Sequence, residues 1–426
     1  MGRPTRPVAI TRQKKSFFRG VTSLTENYRR VRAVDRKAAR HKQPVSNKIP
    51  GMNAPAVAVP SVLETFSMGD QSLETIREKV LGGKRLSFDD GVALYRTHDL
   101  LGLGRLANHV REARHGDIAY FVCNTHINHT NVCAATCDFC AFAAKTGEPR
   151  AYTMSLDQVF KDVAKQPKAC REVHIVGGLH PDLPFQYFID MLKGIKQIRP
   201  DMHVKAFTAV EIFFFSKLYK KSVPEVLQTL KDAGMDSMPG GGAEIFNKET
   251  RNKIIKGKAT GEQWLDVARQ AHKLGIPSNA TMLYGHIETI EDRVDHLIRL
   301  RELQDETGGF VTFIPLAFQP WEAPAMKLPE TTGFEDLKAI AVSRLMLDNF
   351  PHIKSYWIMI GPRVAQIGLS FGADDLDGTV TEEKVAHDAG APTSQSLSVD
   401  ELCRLIREAG RRPVERDTVF NTIKEW

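Results

Sequence analysis

The chain has 426 residues, 42% hydrophobic and 26% charged, an ordinary globular composition with material for one large domain or two typical ones. It contains no apolar run of about 18 residues and no charged start leading into an apolar stretch with a small-residue cleavage site, so neither a membrane span nor secretion is expected. The net charge of +7 is unevenly placed: residues 1–48 carry 14 Lys/Arg against Glu26 and Asp35, while the rest holds 44 Lys/Arg against 49 Asp/Glu, so the body is mildly acidic and nucleic-acid binding is not expected of it.

Residues 1–60 form the basic arm, with runs such as Tyr28-Arg29-Arg30-Val31-Arg32, and end in a linker from Ala54 to Pro60. The arm reads as solvated and disordered, with RNA binding or targeting as alternatives. Residues 61–426 read as one domain. It begins with helices over 61–116: Ser72 to Val80, stopped by Gly82-Gly83; a second opened by Ser87-Phe88-Asp89-Asp90, the pattern of a capping box, and running through Tyr95; and a third over Leu100 to Ala113. Ile118 to Val122 is the first predicted strand.

From there strands and helices alternate. Val173–Val176 precedes a helix over Pro184–Ile198, Val204–Phe207 precedes Val223–Ala233, and Met235–Met238 precedes Gly261–Leu274. Pro277–Leu283 precedes Glu291–Glu306, and Phe310–Pro315 precedes Phe334–Asn349. Ser355–Ile360 is the seventh strand candidate, Gln366–Leu369 the eighth, and Val399–Ala409 the last helix. This rhythm predicts a parallel α/β sheet closed into an eight-stranded (β/α) barrel of TIM type, with a C-terminal helical cap over 370–426 serving as a lid. Asp374, Asp375 and Asp377 read as a turn rather than a cation site.

The barrel reading gathers the unusual residues at the carboxyl ends of the strands, where such folds keep their chemistry. The cysteine loop follows strand one, Gly177-Gly178-Leu179-His180 strand two, Thr208 to Glu211 strand three, Pro239 to Glu244 strand four, Gly285-His286-Ile287-Glu288 strand five and Gln319-Pro320 strand six. Cys133, Cys137 and Cys140, spaced C-x3-C-x2-C, are metal ligands by type and spacing, which calls for a reducing compartment such as the cytoplasm. Three readings exist. A zinc site would add His129 or Asp138 as fourth ligand, within a zinc-stabilised RNA-binding protein. An electron-transfer cluster would draw on Cys123 or Cys170. A four-iron cluster would leave one iron open to a small molecule.

The cysteine motif, with Phe139 before its last member, resembles the signature of radical S-adenosylmethionine (SAM) enzymes. The stretches HIVGGLHPDLPF, KAFTAVEI, PGGGAEIF, NATMLYGHIET and FGADDLDGT, from about residue 70 onward, are similar to the futalosine group of that superfamily. The group spans aminofutalosine synthases, dehypoxanthine futalosine cyclases and the FO-synthase subunit, and HPDLPF, KAFTAVEIFFF and GHIET are most similar to the first. The resemblance implies a [4Fe–4S] cluster on Cys133, Cys137 and Cys140, with SAM at its open iron. It places SAM near Phe139, Gly177, Gly178, Glu211, Glu244, Gly285 and Glu288. It also implies an electron donor such as a flavodoxin or ferredoxin. The implied reaction adds the 5′-deoxyadenosyl radical to 3-[(1-carboxyvinyl)oxy]benzoate in menaquinone biosynthesis. His180 is the expected catalytic residue. Lys205, Arg344, Arg411, Arg412 and Arg416 are candidates for the two carboxylates, and Phe207 or Phe318 for the ring.

Overall fold

Alternation between cavity-facing and outward-facing residues organises the strands of the domain. In the computed structural model, which describes residues 68–426 except Pro324, Glu172, His174 and Val176 line a central cavity. So do Asn279, Thr281 and Leu283, and Ile314, Leu316 and Phe318. The residues between them, such as Val173, Ile175, Ala280, Met282 and Phe313, are buried on the outer face, because successive side chains of a strand point to opposite faces. The basic arm and linker expected over 1–60 lie outside the described residues.

The strands close into a ring. Ile118–Val122 continues as Asn124–Ile127, which pairs in parallel with Glu172–Ile175, and that strand with His203–Ala206. Single parallel bridges, Lys205 to Ser237 and Met238 to Ser278, insert the fourth position and join it to Ser278–Tyr284. Phe310–Ala317 and His352–Ile353 follow, and Lys354 bridges to Asp375. Asp375–Gly378 returns to the first strand through Tyr120–Asp375, Val122–Gly378 and Thr125–Thr381. This is the expected eight-position parallel barrel. The expected N-terminal helices are present as Glu74–Leu81, Phe88–Arg96 and Leu100–His115. The capping box holds: Ser87 N donates to Asp90 Oδ2 at 2.8 Å while Asp90 N donates to Ser87 Oγ. The same device starts the helices after Ser155, Thr208, Ser222, Thr260, Thr289 and Ser398.

Three local expectations change. The apolar run 355–360 is not a strand. It opens the helix Trp357–Gly368, interrupted at Gly361 (φ 75°) before Pro362, and the seventh strand is only His352–Ile353. Gln366–Leu369 ends that helix, and the eighth strand is Asp375–Gly378, so the aspartates read as a turn lie buried in the barrel wall. Thr208 to Glu211 is not an open loop: Thr208 caps a helix, Ala209–Leu218, whose nearly uniform apolarity hides its period.

Buried charge makes the eighth strand possible. Asp374 pairs with Arg344 and accepts from Ile353 N (2.8 Å) and His352 Nδ1 (2.6 Å). Asp375 pairs with Arg416, and Asp377 with Lys354. The 370–426 segment therefore divides. Strand Asp375–Gly378 belongs to the wall. Residues 383–389, holding the short helix Val385–Asp388, line the mouth. Arg412–Arg416 runs parallel to Ile118–Val122 and carries the antiparallel Thr422–Glu425. There Thr418 Oγ1 donates to Glu172 Oε2 at 2.7 Å, so the C-terminal ribbon seals the amino-terminal end of the barrel. Only its upper part, with the helix Val399–Glu408 outside, is a cap.

Arg344→Met leaves the Asp374 carboxylate without its main countercharge. Urea unfolding is expected to show a loss of about 3–5 kcal/mol, the cost of breaking a buried pair from one side.

Candidate active site

The cysteine loop is held by backbone and ammonium bonds before any ligand is considered. Cys133 N donates to Ala144 O (2.9 Å) and Ala134 N to Leu179 O (2.8 Å), tying it to the strand-two loop. Lys145 Nζ donates to Cys133 O at 3.0 Å and Ala135 O at 2.7 Å, and Arg150 donates to Ala141 O and Ala143 O. A two-residue antiparallel ribbon joins Thr136–Cys137 to Ile255–Lys256, which lie beyond strand four. That ribbon delivers Lys258, the main site residue that sequence reasoning missed.

Cys133, Cys137 and Cys140 line one end of a cavity of about 290 Å³ together with Phe139 and Lys258. Burial pushes the Cys137 and Cys140 thiols up, and the Lys258 ammonium pulls them back. Burial opposes the charge on Lys258, but Cys137, Glu244, Cys140 and Cys133 outweigh it and hold that ammonium above the usual lysine range. Its Nζ lies 3.4 Å from Glu244 Oε1 and 5.7 Å from the Phe139 ring centroid. A fixed cation beside three thiols favours thiolates, the form that binds metal.

The proposed fourth ligands lie elsewhere. His129 packs edge-on against Phe188 and Phe207, with its ring 2.4 Å from where a Gly177 Cβ would stand, and burial pushes it down to about 3. Asp138 serves through its backbone, donating to Ile254 O and accepting from Ala325 N. Cys123, between the two segments of the first strand, and Cys170, just before the second, neighbour each other outside the cavity lining. Among the described residues that line the cavity, the three loop cysteines are therefore the only thiols, and the donor set fits a cluster with three protein thiolates.

Glycines let the neighbouring loops approach that end. A Cβ at Gly178 would sit 2.2 Å from Val132 O, and one at Gly240 2.9 Å from the strand-five backbone. Arg251 gathers the carbonyls of Gly242, Ala243, Ile245 and Ala259, and so shapes the glycine loop after strand four. Glu244 faces the cavity from a positive φ of 46°, a strained backbone for a side chain of its size. Glu211 also lines the cavity. It accepts from Gly177 N at 3.1 Å and from Thr208, and burial pushes it up to about 7 against those bonds.

Phe139, Gly177, Gly178, Glu211 and Glu244 thus converge with the cysteines, as do Lys205 and Phe318. Others do not. His180 is outside the lining, its Nδ1 accepting from Asp182 N at 3.1 Å. Glu288 turns back on its own loop, accepting from Gly285 N (2.7 Å), His286 N (2.8 Å) and Arg293 Nε (2.7 Å), so Gly285 and Glu288 brace the strand-five turn. Arg344 and Arg416 are spent on Asp374 and Asp375, Arg411 on Glu112 and Asn108, and Arg412 on Asp117 and Glu425. Phe207 belongs to an aromatic cluster with Phe188 and Phe215.

A closed parallel barrel whose first loop aims three thiols at a glycine-lined mouth defines a radical SAM enzyme, a class that uses a [4Fe–4S] cluster and S-adenosylmethionine. The Radical SAM superfamily profile matches residues 127–300, and the CofH/MqnC C-terminal region matches 307–425. An aminodeoxyfutalosine synthase of Thermus thermophilus is 51% identical over 84% of this chain and 97% of its own length. One of Streptomyces coelicolor is 45% identical over 82% and 94%. The crystal structure of methylornithine synthase superposes with a TM-score of 0.64 over 79% of this chain and 97% of that one, at 18% identity, which shows the shared fold. The chain belongs to the radical SAM superfamily and, within it, to the aminodeoxyfutalosine synthase family.

Lys258→Met is expected to reduce iron loading at pH 7 and to recover it toward pH 9, since thiolate fraction below the pKa changes about tenfold per pH unit. Cys137→Ala should load no intact cluster at either pH. Iron content and visible absorption of anaerobically reconstituted protein measure both.

Proposed function

We propose that this enzyme makes 6-amino-6-deoxyfutalosine for menaquinone biosynthesis by joining the 5′-deoxyadenosyl group of SAM to 3-[(1-carboxyvinyl)oxy]benzoate. The observation that carries this reading is the 51% identity to an aminodeoxyfutalosine synthase along 97% of that protein. A cluster held there with SAM would supply the 5′-deoxyadenosyl radical and release methionine; addition to the vinyl carbon, aryl migration and loss of the vinyl carboxylate as CO2 would account for the product, with SAM consumed as co-substrate. The chain does the rest. Cys133, Cys137 and Cys140 would hold the cluster, and Lys258 would offset their charge. Gly177 and Gly178 give the methionine end of SAM close access to backbone. Phe139 flanks the adenine, and Glu244 and Glu211 are carboxylates in reach of its amine and ribose hydroxyls. Leu283, Ile314, Leu316 and Phe318 form an apolar wall for the aromatic ring, which keeps water from the reacting carbon.

An external one-electron donor such as a flavodoxin or ferredoxin would supply the electron to a cluster held by these thiols, with the cytoplasm as the compartment. In support, Cys137 and Cys140 also line an outward cleft with Lys145, Arg150 and Tyr152, a short way in for electrons. No helix among the described residues is long and apolar enough to cross a membrane.

Reduced protein incubated with SAM and the enol-ether benzoate is expected to yield an adduct containing adenosine, detected by mass. Release of free 5′-deoxyadenosine with a futalosine-derived substrate, and no adduct from the enol ether, would assign the cyclase reaction instead.

A further inference from the structure

The floor of the cavity holds polar groups that the cluster and SAM leave unused. The parallel register places His126 beside His174 and His174 beside Lys205, so the three form one layer on three neighbouring strands. All three line the cavity, and Lys354 joins them from the opposite wall. The two imidazole centroids are 4.5 Å apart. Nε2 of each ring is buried without a hydrogen-bond partner, whereas buried polar atoms in folded proteins are nearly always paired. Burial disfavours the protonated form of both rings, and a neutral imidazole carries one N–H.

The acids at this level are already committed. Glu172 takes Lys205 Nζ at 2.9 Å on one oxygen and Thr418 on the other, and Asp377 takes Lys354. Each ammonium has three hydrogens and the pairs use one. The floor therefore presents imidazole and ammonium donors together, while the wall between it and the thiols is the apolar strip already described. Donors at one end, an apolar wall and a cluster at the other match an aromatic ring with a carboxylate on its far side.

We propose that His126 and His174, with Lys205, bind the ring carboxylate of the substrate and determine specificity for it, holding the vinyl ether toward the thiol end. This rests on the substrate assigned above. The two imidazoles act as positioning residues. They hold the carboxylate, and the reacting carbon lies away from them.

The test uses the cluster-loaded enzyme with SAM and no reductant, titrated calorimetrically with the enol-ether benzoate and with the same ether lacking the ring carboxylate, 2-phenoxyacrylate. Wild type is expected to bind the carboxylated ether about tenfold or more tightly than the other. His126→Leu and His174→Leu, with unchanged iron content, are expected to erase that preference by weakening only the carboxylated ligand. Under turnover the loss should fall on KM more than on kcat. Equal affinity of wild type for the two ethers overturns the proposal without any variant, as does an undiminished preference in both variants. Wild type that binds and converts neither ether overturns the assigned function, and this subsite with it, a result separable from loss of discrimination alone.

Discussion

Three buried ion pairs on one strand hold the whole arrangement together. Asp374, Asp375 and Asp377 can enter the barrel wall because Arg344, Arg416 and Lys354 meet them there. Desolvating three carboxylates without partners would be prohibitive. With them, the strand pairs with Ile118–Val122 and the sheet becomes a ring. Closure turns an open α/β sheet into a cavity, and the cavity faces the cysteines across its own width. Arg416 comes from the C-terminal ribbon, so the last residues of the described chain help close the first strand's partner.

Around that ring, function is divided by height. At the carboxyl ends of the strands, the thiols, Lys258 and the glycine loops form the charged end of the cavity, where the proposed cofactor site lies. Below lie aliphatic and aromatic side chains from strands five and six. At the floor, charge returns, balanced by Glu172 and Asp377 and sealed from beneath by Thr418. Alternation of side chains along each strand makes this layering possible, since residues two apart face the same interior. The helices outside take the intervening residues and insulate the site from solvent.

Much of this was legible in the linear chain. Strand and helix rhythm from 118 to 346 follows local composition and capping residues closely, and C-x3-C-x2-C with its aromatic neighbour marks the metal loop without help from any contact. Legibility failed where tertiary pairing overrides local preference. Asp374 to Asp377 looks like a turn to any local rule, because the countercharges are supplied from 344, 354 and 416. The seventh strand is two residues long, too short for periodicity to register. His180, two positions past Gly178, looked like a site residue by proximity in sequence, yet its ring turns to Asp182. Lys258 gave no signal at all: it reaches the thiols only through a ribbon whose register pairs, Thr136 with Lys256 and Cys137 with Ile255, join segments more than a hundred positions apart in the chain.

The amino-acid sequence by itself determined the barrel class, the three clustered cysteines and the glycine loops at the mouth, because these depend on local period, residue spacing and backbone freedom. Tertiary structure alone decided which charges are structural and which face the cavity. Glu288 braces a turn, Arg344 and Arg416 neutralise a strand, and His126, His174 and Lys205 share one interior layer. Strand register and burial set those outcomes, and neither can be read from a residue's neighbours in the chain.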